Sequence, residues 1–494
     1  MHIALPTDHL LLVGAALLVL GVIGAGIADR IRVPGLILFL VAGMAIGDDG
    51  LGWISLSDAR FAQGIAVVAL VIILYEGGLG TAYTDVRPLV GAALSLATVG
   101  VIVTAGVAAG AAALLLDIDG TTALLIGAVV ASTDAAAVFS VLRNVPLPRR
   151  LNHLLEAESG ANDPMAVLLT VGILATWEGH VTASDWLVFG ARQLGGGLLV
   201  GLAVGWVGAA LLTRAHLTST ALYPVLGLGL GGLGYGAAAG LRTSGFLAVY
   251  VTGMVVAARA PARRRAVRTF HQGLASTAQI GLFLLLGLLV FPSRLDEHAA
   301  GAFGVAVALV FVARPLAVLL AVGWQRFALP ELLLVSWAGL RGAVPIVLAT
   351  FPLTVGYPEG ELIFDVVFFV VVLSVLVQGL TVAPLAARLG LRAEPDVRAS
   401  MAESLPIDAP GVDVLEIEVG TSCAIIGRRL ADAPPPFDAR VAVVLRGTDV
   451  IVPTGASTLE PADRLIVFGP SHPDLASAVR AWVTDPGSVS SPPG

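Results

Sequence analysis

Glu158-Ser159-Gly160-Ala161-Asn162-Asp163-Pro164 stands inside an apolar stretch, 152–177, long enough to cross a bilayer. Inserting a carboxylate at the centre of such a helix costs roughly 2.5–3.5 kcal/mol. The preceding apolar stretch holds a second expensive segment, Ser132-Thr133-Asp134. Acids kept at that cost are seldom structural, so Asp163 and Asp134 point to a pathway for an ion or a proton.

The rest of the chain has the same character. Of its 494 residues 57% are hydrophobic and 13% charged, about half the ~25% charge of a soluble protein. It reads as an all-α polytopic membrane protein. Cys423 is the only cysteine, which excludes internal disulfides and cysteine-rich metal sites. All 28 basic residues are arginine. The first apolar run lacks a basic leader and a small-residue cleavage site, so it reads as a retained span.

About thirteen spans are expected, at 9–28, 33–47, 61–79, 89–116, 121–142, 152–177, 186–213, 219–240, 244–259, 269–291, 298–323, 331–353 and 361–388. Arginine gathers after odd-numbered spans: Arg30 and Arg32; Arg143, Arg149 and Arg150; Arg259, Arg263, Arg264, Arg265 and Arg268; Arg388, Arg392 and Arg398. Loops after even spans are mostly acidic, with Asp48, Asp49, Asp117, Asp119, Glu178, Glu359 and Glu361. The positive-inside bias therefore places the N-terminus outside and the C-terminal domain in the cytosol.

The membrane region, 1–392, also repeats itself. Gly35, Gly43 and Met44 recur at one offset as Gly245, Gly253 and Met254, seven spans later. An odd displacement turns the copy over, so the expectation is an inverted repeat with a binding site near mid-membrane. Span 5, with Thr133-Asp134, then corresponds to span 12, with Gly339-Leu340-Arg341-Gly342-Ala343-Val344-Pro345. Both are expected to be broken helices that cross. A linker at 393–411 leads to a small α+β domain at 412–483, with helical signals at 424–432 and 472–483. Residues 484–494 read as a disordered tail.

Among the ionisable residues well inside spans, five stand out: Glu76, Asp134, Glu158, Asp163 and Arg341. Ser159 and Asp163 are four apart and share a helix face. Their oxygens can meet a monovalent cation together with Thr133 and Asp134. Arg341 keeps its charge and needs a buried partner, either Glu158 or Glu76. Arg314, before Pro315, reads as a snorkelling or capping side chain. A carboxyl group out of water takes up a proton more readily, so one acid holds either a proton or a cation. Asn162 stands where a second acid would add another proton, which suggests exchange of one cation for one proton. A gated potassium channel is the alternative. An intramembrane protease built on Asp134 and Asp163 would leave Arg341 and the repeat without a role, so the chain reads as a secondary transporter and no enzyme.

These segments resemble the cation:proton antiporter superfamily, in its NhaP-type sodium(potassium)/proton exchanger branch. The likeness rests on Ser132 to Phe139, Glu158 to Pro164, Gly339 to Pro345, Tyr75-Glu76-Gly77-Gly78-Leu79 and Gln378-Gly379-Leu380-Thr381, and covers about residues 8–390. It implies Asp163 as the cation- and proton-binding acid, with Ser159, Glu158, Thr133, Asp134 and Asn162 around the ion, and Arg341 paired with a glutamate. It also implies a homodimer in a bacterial inner membrane, working by alternating access in cation and pH homeostasis. Ala135 stands where the family often has proline, a departure that bears on the shape of the span 5 break. The soluble part resembles a TrkA-C (RCK C-terminal) domain through Gly427 to Leu430, Pro434 to Pro436, Arg446 and Pro453-Thr454-Gly455. That likeness favours potassium over sodium and implies a small regulatory ligand such as a cyclic dinucleotide. No cofactor beyond the transported ions, and no nucleic-acid partner, is expected.

Overall fold

The computed structural model describes residues 35–391 and 403–484, apart from 55–58, 82–85, 135–136, 139–141, 143–146, 180–181, 216, 220, 406–411, 421–422, 448, 471 and 473–474, together with scattered positions between 14 and 26. Much of the first expected span, most of the linker and the tail beyond Thr484 lie outside the described residues. The chain forms two compact units, residues 1–392 and 393–494.

Among the described residues, the regular secondary structure of the first unit is all helical. Its elements are α1 (Gly35–Ile46), α2 (Ala59–Gly80), α3 (Val90–Ser95), α4 (Val101–Leu116), α5 (Gly120–Val129), α6 (Arg149–Glu178) and α7 (Ala183–Arg214). They continue as α8 (Leu222–Gly240), α9 (Gly245–Arg259), α10 (Pro261–Leu288), α11 (Leu295–Ala308), α12 (Arg314–Val322), α13 (Leu329–Trp337), α14 (Ala343–Val355) and α15 (Gly360–Arg388). Helix is described within each of the stretches expected as spans 2 to 13. Six stretches are long and apolar enough to cross a membrane, and α1, α5, α9 and α14 are shorter apolar helices.

The repeated glycines pack alike in their two copies. In α1, a Cβ on Gly43 would run into the Leu284 carbonyl of α10; in α9, a Cβ on Gly253 would lie 2.6 Å from the Tyr75 carbonyl of α2. In return, a Cβ on Gly287 would strike the Leu40 carbonyl, and one on Gly78 the Tyr250 carbonyl. Leu40 and Tyr250 stand at the same offset as Gly43 and Gly253, so both crossings use one recipe. Glycine against a carbonyl brings the backbones together where a larger residue would hold them apart. The symmetry extends further. A π-helical turn at Leu96–Gly100 joins α3 to α4, and another at Leu309–Ala313 joins α11 to α12. Pro315 supplies a cause for the second, because its ring would clash with the Phe311 carbonyl in a regular turn.

The second unit holds a five-stranded sheet, ordered β1-β2-β5-β3-β4 and antiparallel throughout. Its strands are β1 (Glu403–Leu405), β2 (Val412–Glu418), β3 (Arg440–Arg446), β4 (Asp449–Ile451) and β5 (Arg464–Pro470). Helix α16 (Leu475–Thr484) buries Leu475, Val479, Trp482 and Val483, the i, i+4, i+7, i+8 stripe of a helix lying on a core. Two expectations change here. β1 lies inside the stretch read as linker. Residues 424–432 form turns and single bridges, Ile426 to Leu459 and Arg429 to Thr458, instead of a helix. Gly427, at φ +75°, takes a left-handed conformation that ends helical propagation.

Arg446 forks onto buried Asp463, with Nε to Oδ1 and Nη2 to Oδ2 both 2.8 Å. Burial alone would raise the Asp463 carboxyl, but hydrogen bonds from Arg446 and the Glu460 N–H, with the guanidinium charge, hold it below the usual range. A lowered folded value means this stability is complete above about pH 4 and fades as pH falls through the depressed value. Hydrogen-exchange protection of β5 is therefore expected to drop in acid. Asp463→Asn should remove that dependence; equal acid sensitivity in the variant would count against it.

Candidate functional site

Two broken helices meet in the first unit. α5 ends at Val129 and helix returns at 137–138; α13 ends at Trp337 and α14 starts at Ala343. Breaks expose backbone groups that hydrocarbon cannot satisfy, so their partners define the site. Arg341 Nη1 donates to the carbonyls of Ser132 at 2.8 Å and Ala131 at 3.3 Å. Ser159 Oγ donates to the Thr133 carbonyl at 2.9 Å, and Asp134 N–H to the Leu340 carbonyl at 2.8 Å. Asn162 clamps Thr133: Nδ2 donates to Oγ1 at 2.6 Å, and Oδ1 accepts from the Thr133 N–H at 3.4 Å. On the other break, Ser374 Oγ accepts from the Arg341 N–H and donates to Gln378, whose Nε2 donates to the Trp337 carbonyl. Gln378, of the Gln378-Gly379-Leu380-Thr381 segment, is thus tied to the break.

The charges follow the helix ends. Asp134 Oδ1 accepts from the Ala137 N–H at 3.1 Å, and its Oδ2 presses on Gly342, the N-cap of α14, where no Cβ fits. One carboxylate therefore faces the positive starts of two half-helices, while the Arg341 guanidinium meets carbonyls beyond the end of α5. A Gly342→Ala substitution puts a methyl into the Asp134 carboxylate. Overpacking of this kind costs about 1–3 kcal/mol, and the variant should fold with impaired exchange. Wild-type rates in vesicles would show that Asp134 need not sit there.

Arg341 does not take Glu158 or Glu76 as its partner. Glu158 is gripped by Arg314, with Nη1 2.6 Å from Oε1 and Nη2 donating to Oε2 at 2.9 Å; the two side chains are 3% and 1% exposed. Gly339 makes this possible, since a Cβ there would lie 2.5 Å from Arg314 Nε. Arg341 is drawn instead to the carbonyls freed by the break, which are acceptors with no helical donor left. Glu76 is half-buried on α2, in the electrostatic surroundings of Arg268 and Glu156. The structure thus gathers Thr133, Asp134, Glu158, Ser159, Asn162, Asp163 and Arg341 at the crossing and leaves Glu76 apart. Sequence reasoning missed the role of Arg314 and the buried Asp365 of α15. Asp365 stands four residues past Glu361, inside the stretch expected as the last span. Arg314 carried one usable signal, a cation inside an apolar run.

Asp163 lies one turn after Ser159 on α6. It is 5% exposed, and its Oδ1 has no hydrogen-bond partner among the described residues. The protein-family comparison matches residues 15–388 to the transmembrane sodium/hydrogen exchangers and 414–476 to the TrkA-C domain. The chain belongs to the sodium/hydrogen exchanger family. Members are cation/proton antiporters, secondary transporters and no enzymes. The K(+)/H(+) antiporter NhaP2 of Shewanella oneidensis is 38% identical over 472 residues, 93% of this chain and 80% of that protein. The K(+)/H(+) antiporter NhaP of Alkalimonas amylolytica is 37% identical over 473 residues, with the same coverage. The sodium proton antiporter MjNhaP1 from Methanocaldococcus jannaschii has the same fold, at TM-score 0.69 and 23% identity over 77% of this chain and 99% of its own.

Proposed function

We propose that this exchanger moves one monovalent cation, potassium in preference to sodium, against one proton through Asp163. The observation that carries the reading is the open Oδ1 of a buried acid whose neighbours Ser159, Asn162 and Asp134 are already engaged. Such an oxygen holds a hydrogen ion or a cation, never both, and that competition couples the two flows. Thr133, Ser159 and Asp134 supply further oxygens of the kind alkali ions prefer, with Glu158 held behind them by Arg314. Asn162 adds hydrogen bonds but no second titrating group, so no net charge moves. Potassium is favoured by the TrkA-C domain and by the relatives named for that ion. The protein works by alternating access as a homodimer in a bacterial inner membrane, N-terminus outside. Its second unit lies in the cytosol and takes a small regulatory ligand, such as a cyclic dinucleotide.

Proton flux in proteoliposomes, measured against each alkali cation with and without residues 396–494, tests the reading. Potassium-driven alkalinisation is expected from the full chain. Potassium current without proton movement would overturn it in favour of a channel.

A further inference from the structure

Residues 186–295 contain nine arginines and no aspartate or glutamate. Six of the nine, Arg214, Arg259, Arg263, Arg264, Arg265 and Arg268, belong to the ends of three helices. Arg214 is in the last turn of α7, Arg259 closes α9, and the rest lie in the first turns of α10. α7 and α9 run parallel, because Gly197, Gly201 and Gly205 of α7 press in order against Ser244, Ala248 and Val255. Their C-terminal ends therefore lie together. There the Arg259 guanidinium sits 3.5 Å over the Trp206 ring. Arg259 is exposed, and no acid among the described residues pairs with it. Trp206 is 54% exposed on a face shared with Leu199, Leu202, Val207 and Leu211, all exposed as well.

We propose that Trp206 and Arg259 bind the headgroup phosphate of an anionic phospholipid. A guanidinium stacked on an indole keeps its edge N–H groups free, and they match phosphate oxygens two at a time. The indole N–H is a further donor. The apolar face of α7 below suits acyl chains, and tryptophan belongs at the membrane–water boundary. Free phosphate satisfies the arginine but not the apolar face. A second copy of this chain would bring the same unbalanced cations, so charge complementarity selects the lipid. One arginine held at the membrane surface is worth about fivefold in preference for an anionic lipid.

The full-length protein in nanodiscs tests this with lipids brominated in the acyl chains. Trp206 emission is isolated as the difference between wild type and Trp206→Phe. Brominated phosphatidylglycerol should quench it at about fivefold lower mole fraction than brominated phosphatidylcholine. Arg259→Gln should abolish that preference while exchange in neutral lipid persists. Arg259→Lys should keep part of it, and serves if the glutamine variant fails to fold. Equal quenching by both lipids would overturn the proposal. So would reversal of the preference by millimolar inorganic phosphate, which marks a free-anion site. Trp206 shielded from every lipid in a dimer would assign the face to a second copy and also overturn it.

Discussion

Asp163→Asn is expected to reduce cation-dependent proton movement to the background of empty vesicles, with an unchanged elution profile in detergent. The substitution preserves shape and removes only the group that titrates. Because Oδ1 has no protein donor to lose, the amide should not disturb the fold. Asp134→Asn is the informative contrast. It leaves two half-helix starts without their compensating charge, at about 0.5–2 kcal/mol, so it should lower stability as well as rate. A wild-type rate from Asp163→Asn, measured by pH-sensitive dye in inverted vesicles, would remove the acid from the cycle.

The second large effect lies at Arg314. Arg314→Leu leaves Glu158 charged and buried without its partner, a loss on the order of 3–5 kcal/mol. In a membrane protein of marginal stability that predicts poor yield and early thermal aggregation. The paired variant Arg314→Met with Glu158→Leu should recover most of the melting temperature, since apolar side chains of similar volume often replace buried ion pairs without loss. Its exchange rate then separates two roles for Glu158. Retained transport would make it an anchor for α6, whereas a stable but inactive protein would place its charge at the ion. If Arg314→Leu melts with the wild type, the pair is not what holds these helices.

Span positions were readable because twenty apolar residues in a row have few alternatives. Gly43 and Gly253 revealed the repeat, since the close crossing they permit admits little else. The breaks were legible too, in Asp134 and in the Gly339 to Pro345 run. What could not be read was which guanidinium meets which carboxylate. Arg341 and Arg314 are both single cations in apolar sequence, and only the crossing shows that one serves carbonyls and the other Glu158. Asp365, inside the last span, was passed over although it is a lone acid in an apolar run. In the second unit, 424–432 misled because its apolar spacing is helical while Gly427 dictates a turn.

Four of the side chains that bond the crossing, Ser159, Asn162, Ser374 and Gln378, stand on helices that run unbroken past it. Under the proposed alternating access, such bracing would let the whole pocket travel as cargo with its walls, rather than being dismantled at one membrane face and rebuilt at the other. A carrier of that kind offers equal grip to ions arriving from either compartment, so it has no built-in direction. Whichever gradient is steeper decides whether the cell gains the cation or loses it.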